Sequence, residues 1–409
     1  MAAAKKKSTR SSRSNKSANS TLTVIILIVV IGLGAYYSLT GTDLLGVFTP
    51  TEEPAPAGAT VESPASQPQA PAPGTNASSD WWEVYFADPL NINNPENWQN
   101  SIEARLIDKI NAAQTSIHIA SFEFDLTPVA EALVAAKQRG VDVRWVTDDE
   151  HGLEADEEPG HGQFALLEEA GIEVKDDARS ALMHNKFWIF DREWVWTGST
   201  NITVNGIFKQ NNNVVAIRST RLAEIYELEF VEMWNGEFGP RSPSTVDQQS
   251  VTVNNTPVSV LFASEDGVIG RIIPYVENAR SNVRFMAFSF TDYPLAKAMI
   301  DRAAAGVNVA GVFEKVGSET EFAELRTLHC AGVPVRQDGN PSFLHHKLIV
   351  VDEHIVITGS LNYSTSAEES NDENVIIIDN PEIAALYIRE FERVWAQGSD
   401  PDPAKITCD

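Results

Sequence analysis

Hydrophobic and polar positions divide the chain into three regimes. Residues 21–39, TLTVIILIVVIGLGAYYSL, carry no charge over 19 positions, and at about 1.5 Å of rise per residue they would span roughly 28 Å, one hydrocarbon core. The run predicts a single transmembrane helix. From 40 to 80 periodicity gives way to Pro50, Pro54, Pro56, Pro64, Pro68, Pro71 and Pro73 among Ala, Ser and Thr, which predicts an extended Pro-rich linker. Beyond residue 80 strand and helix patterns alternate. Ile117 and Ile119 alternate with their neighbours, Val129, Leu133 and Val134 recur at helical spacing before Gly140, and Val141-Asp142-Val143 returns to alternation. Val283 and Phe285, then Leu295 and Met299, then Gly306 repeat that order, so an α/β fold is expected.

A stronger repeat follows. Residues 171–213 align without a gap on 332–374 at a constant offset of 161. Two copies of one unit are expected, half 1 over 81–240 and half 2 over 250–400, with a boundary near 239–250 where GPRSPSTVDQQS interrupts the pattern.

Charge adds an address. A basic tail over 1–20 holds Lys5, Lys6, Lys7, Arg10, Arg13 and Lys16, and no acid precedes Asp43. Basic residues on that side of the apolar run predict a single-pass cell-membrane protein with its N-terminus cytoplasmic and the rest extracytoplasmic. The competing reading is a cleaved signal peptide, against which the run is long and lacks a clean small-x-small site. The net charge is −26, and the chain beyond the tail is more acidic still, which disfavours a broad polyanion-binding surface. Two cysteines, Cys330 and Cys408, exclude a disulfide framework and leave one bridge open, dependent on compartment.

Each aligned segment holds the same chemistry: His184, Lys186, Asp191, Gly198, Ser199 and Asn201 in half 1, and His345, Lys347, Asp352, Gly359, Ser360 and Asn362 in half 2. Residues i and i+2 of a strand share a face, which pairs His184 with Lys186 and Ser199 with Asn201. Asp191-Arg192-Glu193 reads as a hairpin turn that folds the second pair beside the first. An imidazole, an ammonium, a hydroxyl and an amide then converge into an anion site containing a nucleophile. A phosphodiester asks for these groups, because lysine and neutral donors stabilise charge building on the nonbridging oxygens while one histidine attacks phosphorus and a second moves the proton.

HNKFWIFD (184–191) with GSTN (198–201), and HHKLIVVD (345–352) with GSLN (359–362), resemble the phospholipase D superfamily signature HxKxxxxD followed by GSxN. The resemblance covers roughly residues 81–396. It implies two pseudo-symmetric halves, each a mixed β-sheet flanked by helices, with their motifs facing across a pseudo-two-fold axis. It also implies lysines that bind phosphate, no metal or other cofactor, and a mostly structural role for Asp191 and Asp352. Ser199, Asn201, Ser360, Asn362 and Asn212 are expected around the phosphate. Half 2 continues with Asn371-Asp372-Glu373-Asn374, like the acid by which the family orients the opposite histidine, where half 1 has Gln210-Asn211-Asn212-Asn213. If pairing crosses between halves, Glu373 supports His184, which makes His184 the expected nucleophile and His345 the general acid and base.

The expected activity is metal-independent hydrolysis of phospholipid head-group phosphodiesters through a phosphohistidine, with the helix holding the enzyme at the membrane and no obligate protein partner. Endonuclease action on nucleic acid, phosphatidyl transfer as in cardiolipin synthesis, and an inert scaffold are the alternatives. Blander readings apply elsewhere. The acidic loop Asp148 to Gly162, with His151 and His161, reads as a solvated rim rather than a cation site. His118, His329, His346 and His354 read as packing or surface residues, Trp81 and Trp82 as a core edge, and Trp188, Trp194 and Trp196 as packing under the sheet.

Overall fold

A computed structural model describes residues 76–242 and 249–408, which belong to one compact unit. The basic tail, the span at 21–39 and nearly all of the linker lie outside the described residues. Among the described residues no helix is long and apolar enough to cross a membrane.

Half 1 is built on β1 (Ala77–Ser78), β2 (Trp82–Phe86), β3 (Ser116–Ser121), β4 (Asp142–Val146), β5 (Glu173–Lys175), β6 (Lys186–Phe190), β7 (Trp194–Gly198) and β8 (Asn213–Arg218). They form one sheet in the order β1-β2-β8-β7-β6-β3-β4-β5. Half 2 repeats it with β9 (Ser250–Val253), β10 (Thr256–Ala263), β11 (Asn282–Ala287), β12 (Asn308–Phe313), β13 (Val335–Gln337), β14 (Lys347–Val351), β15 (Ile355–Gly359) and β16 (Glu373–Asp379), ordered β13-β12-β11-β14-β15-β16-β10-β9. Both sheets are mixed. The helices α1 (Thr127–Gln138) and α3 (Tyr293–Ala304) are the crossovers that make β3 parallel to β4 and β11 parallel to β12, whereas the β6–β7 and β14–β15 hairpins are antiparallel. Two further helices, α2 (Thr220–Trp234) and α4 (Pro381–Gln397), follow β8 and β16 and extend the offset of 161 to the C-terminal part of each half.

Apolar surface is buried in three places. One core lies within each half, and a third is shared, with Phe187, Tyr226 and Phe230 of half 1 packed with Phe262, Leu348 and Tyr387 of half 2. Trp82 joins the shared core, as the core-edge reading anticipates, with Trp81 partly buried against it. Trp188 and Trp196 are buried, while Trp194 is partly exposed beneath the Lys109 ammonium. Cys330 and Cys408 are bridged, tying the C-terminal segment back to half 2.

The motif aspartates close the hairpins. Asp191 and Arg192, like Asp352 and Glu353, have positive φ, the backbone that a tight hairpin turn requires. The Asp191 carboxylate accepts from the backbone N–H groups of Gln114, Thr115 and Ser116, and Asp352 accepts from those of Arg280, Ser281 and Asn282. Each aspartate thus fastens its hairpin to the start of the neighbouring parallel strand.

Candidate active site

The carboxyl ends of β3 and β11 set the position of the site. Ser121 pairs with Lys186 and Ala287 with Lys347, so each motif lysine opens its strand beside the end of a parallel one. Two isolated bridges then cross between the halves: Met183 pairs with Asp372, and Leu344 with Asn211. These pairs are equivalent under the offset of 161. The backbone N–H of His184 consequently donates to the Asp372 carbonyl, and that of His345 to the Asn211 carbonyl, both at 2.9 Å. The next residue on each crossing strand, Glu373 or Asn212, lands behind the opposite histidine.

His184 Nδ1 lies 2.7 Å from Glu373 Oε2. His345 Nδ1 lies 3.0 Å from both the Ser199 carbonyl oxygen and Asn212 Oδ1. Asn212 Nδ2 donates to the Gly206 carbonyl, which identifies its Oδ1 as the atom facing His345. Because the groups facing Nδ1 are acceptors, Nδ1 carries the proton in each neutral imidazole and Nε2 keeps its lone pair. Phe122 meets the His184 ring edge-on and Phe288 does the same for His345. The motif ammoniums lie over the same two phenyl rings, and each donates to the carbonyl of its own histidine at 2.9 Å.

Both histidines are 6% exposed, and the two motifs act on one another electrostatically. Burial, followed by the Lys186 and Lys347 ammoniums, holds His184 well below the ordinary histidine value. Burial, then the same two ammoniums and His184, does so for His345. Lys186 is brought down to about 8 by burial, offset by Glu373 and Glu123, and Lys347 is held well below the ordinary lysine value by burial and by Lys186. Burial raises Glu373 to about 7 against the pull of Lys186. Two imidazoles, two ammoniums and one buried carboxyl thus come together at the junction of the halves, a set suited to an anion.

Three expected phosphate contacts stand elsewhere. Ser199, Ser360 and Asn212 are fully buried and sit behind the histidines rather than at the cleft surface. Ser199 Oγ donates to Asn212 Oδ1 and accepts from Asn213, while Ser360 Oγ accepts from the Asn374 backbone and bonds Glu373. The correction has a geometric reason: the hydroxyls are turned toward the crossing strand and hold the groups that hold the imidazoles. Gly198 and Gly359 make this possible, since a Cβ on either would strike the carbonyl of Asn213 or Asn374. Asn201 donates to Glu123 at 2.8 Å, and Asn362 Oδ1 has no hydrogen-bond partner among the described residues.

The rim reading of the acidic loop also needs correction at its first residue. Asp148 is 1% exposed and accepts from the Met183 backbone and from His151. Its counterpart Glu314 accepts from Leu344. An acid closing the parallel strand of each half was the sequence signal for this pair. His151 stacks on Phe122, bonds Asp148 at 3.0 Å, and is raised above the ordinary histidine value chiefly by that bond. Glu123, half-buried and raised by burial despite Lys186, adds a carboxyl on the half 1 side, where half 2 has Ser289. No repeat signal marks it. His346, read as a packing or surface residue, is fully buried between Glu390 and Asn213, and His118 is bonded to Glu227.

A family model described as "Cardiolipin synthase, PLD-like domain" matches residues 106–234 and 272–395. The chain belongs to the phospholipase D superfamily. Among its relatives, human mitochondrial cardiolipin hydrolase is 33% identical over 142 residues, covering 35% of this chain and 55% of that protein. A phospholipase D of Rickettsia bellii is 31% identical over 139 residues, or 34% of this chain and 69% of the other. The chain thus spans about half the length of the human relative. Phosphatidylserine synthase of Haemophilus influenzae has the same fold, with a TM-score of 0.59 at 14% identity over 80% of this chain and 88% of that one. In phospholipase D terms the doubled motif lies within the two matched segments, one copy in each.

Proposed function

We propose that the protein is a membrane-anchored phosphodiesterase that hydrolyses phospholipid head-group esters in two steps, without a metal in the chemistry. The observation that carries this reading is the pairing of each imidazole Nδ1 with an acceptor from the opposite half, with both rings under the influence of the two ammoniums. Relatives named cardiolipin hydrolase and phospholipase D support lipid as the substrate, and the net charge of −26 disfavours a nucleic acid.

In the first step His184 Nε2 attacks phosphorus and the bond to the leaving alcohol oxygen breaks, that oxygen taking a proton from His345 Nε2. In the second a water attacks phosphorus, His345 takes its proton, and the P–N bond breaks to release the phosphomonoester and free His184. The phosphohistidine is cationic at its ring, so the Glu373 carboxylate behind it stabilises the intermediate; Asn212 gives His345 no such charge. His345 needs a proton before the first step. The phosphodiester supplies the reason, because its charge offsets the two ammoniums that suppress protonation of His345.

The apolar run at 21–39 would hold the enzyme at the bilayer, with the catalytic halves on the extracytoplasmic side of a proline-rich tether. The test offers the full chain vesicles of cardiolipin or phosphatidylcholine, or single-stranded DNA, and traps the phosphoenzyme in His184→Ala and His345→Ala. Label should be lost in His184→Ala and persist in His345→Ala. Label that survives only in His184→Ala reverses the roles, and cleavage of DNA alone removes the lipid assignment.

A further inference from the structure

The two halves differ most sharply in what stands behind the active site. Under the offset of 161, α2 maps onto α4 so that Tyr226 corresponds to Tyr387, Glu229 to Glu390, and Glu232 to Arg393, while Asn185 corresponds to His346. Both halves begin the same buried ladder. Thr358 and Tyr387 donate to Asn213 Oδ1, as Thr197 and Tyr226 donate to Asn374 Oδ1. Asn213 Nδ2 continues to His346, and Asn374 Nδ2 to Asn185. In half 2 the ladder ends in an ion cluster: His346 Nε2 lies 3.0 Å from Glu390 Oε1, and Arg393 grips the same carboxylate at 2.6 Å. Glu390 is fully buried, yet its carboxyl stays below the ordinary glutamate value, burial being outweighed by His346 and Arg393.

Half 1 buries the equivalent carboxylate without those partners. Glu229 is 2% exposed, its Oε2 has no hydrogen-bond partner among the described residues, and Asn185 Nδ2 turns instead to Met233 Sδ. Where half 2 places Arg393, half 1 places another acid, Glu232, 4% exposed. Glu265, just after β10 of half 2, completes a cluster in which carboxylate oxygens from all three residues lie within 4.8 Å of one another. Among the described residues the charges bearing on Glu229 come from Glu265, Glu232 and Asp266, every one acidic. The connecting residues 243–248, PSTVDQ, contain no basic side chain. Glu229 and Glu232 are buried and Glu265 is partly so, and buried carboxylates held together are costly unless a cation or protons neutralise them.

We propose that Glu229, Glu232 and Glu265 bind a divalent cation of the calcium type, which replaces in half 1 the positive charge that Arg393 supplies in half 2. The oxygen-only donor set suits a hard cation, and carboxylate oxygens gathered within 4.8 Å of one another are close enough to share one ion whose oxygen ligands stand at about 2.4 Å. Glu229 and Glu232 belong to α2 of half 1 and Glu265 to half 2, so the ion ties the halves together behind the catalytic ladder. Its role is structural, and it is separate from the two histidines and two lysines that carry the chemistry. The other acidic group, Asp148, Asp149 and Asp177, lacks this character, because Asp148 is held by His151 and Asp177 by Arg179.

The experiment uses the full chain stripped with EDTA and returned to about 1 mM CaCl2 or MgCl2 at pH 7.5, read by thermal unfolding and by equilibrium binding of radioactive calcium. Calcium should bind once per chain and raise Tm by about 5 °C or more, magnesium should give a smaller shift, and Glu229→Gln should lose both binding and shift. Asp149→Asn should keep both. Glu232→Arg copies half 2 onto half 1; it should unfold at the same temperature in EDTA and in calcium. No calcium shift in the parent chain, or a shift retained in Glu229→Gln, overturns the proposal, and a magnesium shift as large as that of calcium overturns the choice of ion.

Discussion

Glu373 Oε2 reaches His184 Nδ1 at 2.7 Å from the opposite half, whereas the equivalent contact to His345 comes from the neutral Asn212 at 3.0 Å. This asymmetry should be visible in pH dependence. Glu373 titrates at about 7 because burial raises it and Lys186 only partly opposes that. In the proposed mechanism its charged form supports the phosphohistidine, so kcat/KM should rise with pH through about 7. Glu373→Gln should flatten that limb and lower kcat by roughly 10²- to 10⁴-fold. The stability effect has the opposite sign. A raised folded-state pKa means that the unfolded chain releases this proton first, so stability from Glu373 falls as pH rises from about 4.5 to 7. Thermal unfolding at pH 8 should find Glu373→Gln no less stable than the parent.

The two ammoniums lower both histidines, and in the proposed mechanism they also bind the phosphate. Lys347→Met should weaken vanadate binding by at least about tenfold and move His345 upward, since that ammonium is the largest cause of its lowering after burial. Histidine titration by NMR measures this directly. An unchanged His345 would mean that burial alone sets its value.

Asp191 and Asp352 lie outside the cleft, and each accepts from three consecutive backbone N–H groups. Replacing either with alanine should cost about 1–3 kcal/mol in urea unfolding. Because these bonds fasten hairpins rather than touch phosphate, activity per folded molecule should fall far less than in Lys186→Ala.

The His346–Glu390–Arg393 cluster is buried as a unit. Glu390→Gln leaves the Arg393 guanidinium without its carboxylate and should destabilise by roughly 3–5 kcal/mol, measured as a lower urea midpoint with unchanged m. A near-neutral outcome would show that Asn211 and Ala87, which also accept from Arg393, are sufficient partners.

The sequence alone carried the doubling. A constant offset of 161 needs no coordinates, and it locates both histidines, both lysines and both hairpin aspartates. Alternation at Ile117 and Ile119, with helical spacing after it, was sufficient for the α/β order because period-two and period-3.6 patterns are local properties. Glu373 was legible too, by its contrast with Asn212 in the other copy.

Direction, by contrast, depended on long-range packing. Ser199 and Ser360 look like phosphate ligands in one dimension, and only the close approach of Gly198 to Asn213 and of Gly359 to Asn374 turns them behind the histidines. Glu123, Asp148 and His151 meet because the ends of β3 and β4 abut the first motif, a juxtaposition that no spacing encodes. The sequence therefore determined which groups are duplicated. Which of them face the cleft, and which carboxylates are gathered into one cluster, followed from tertiary contact, because exposure and charge pairing belong to the folded surface and not to the order of residues.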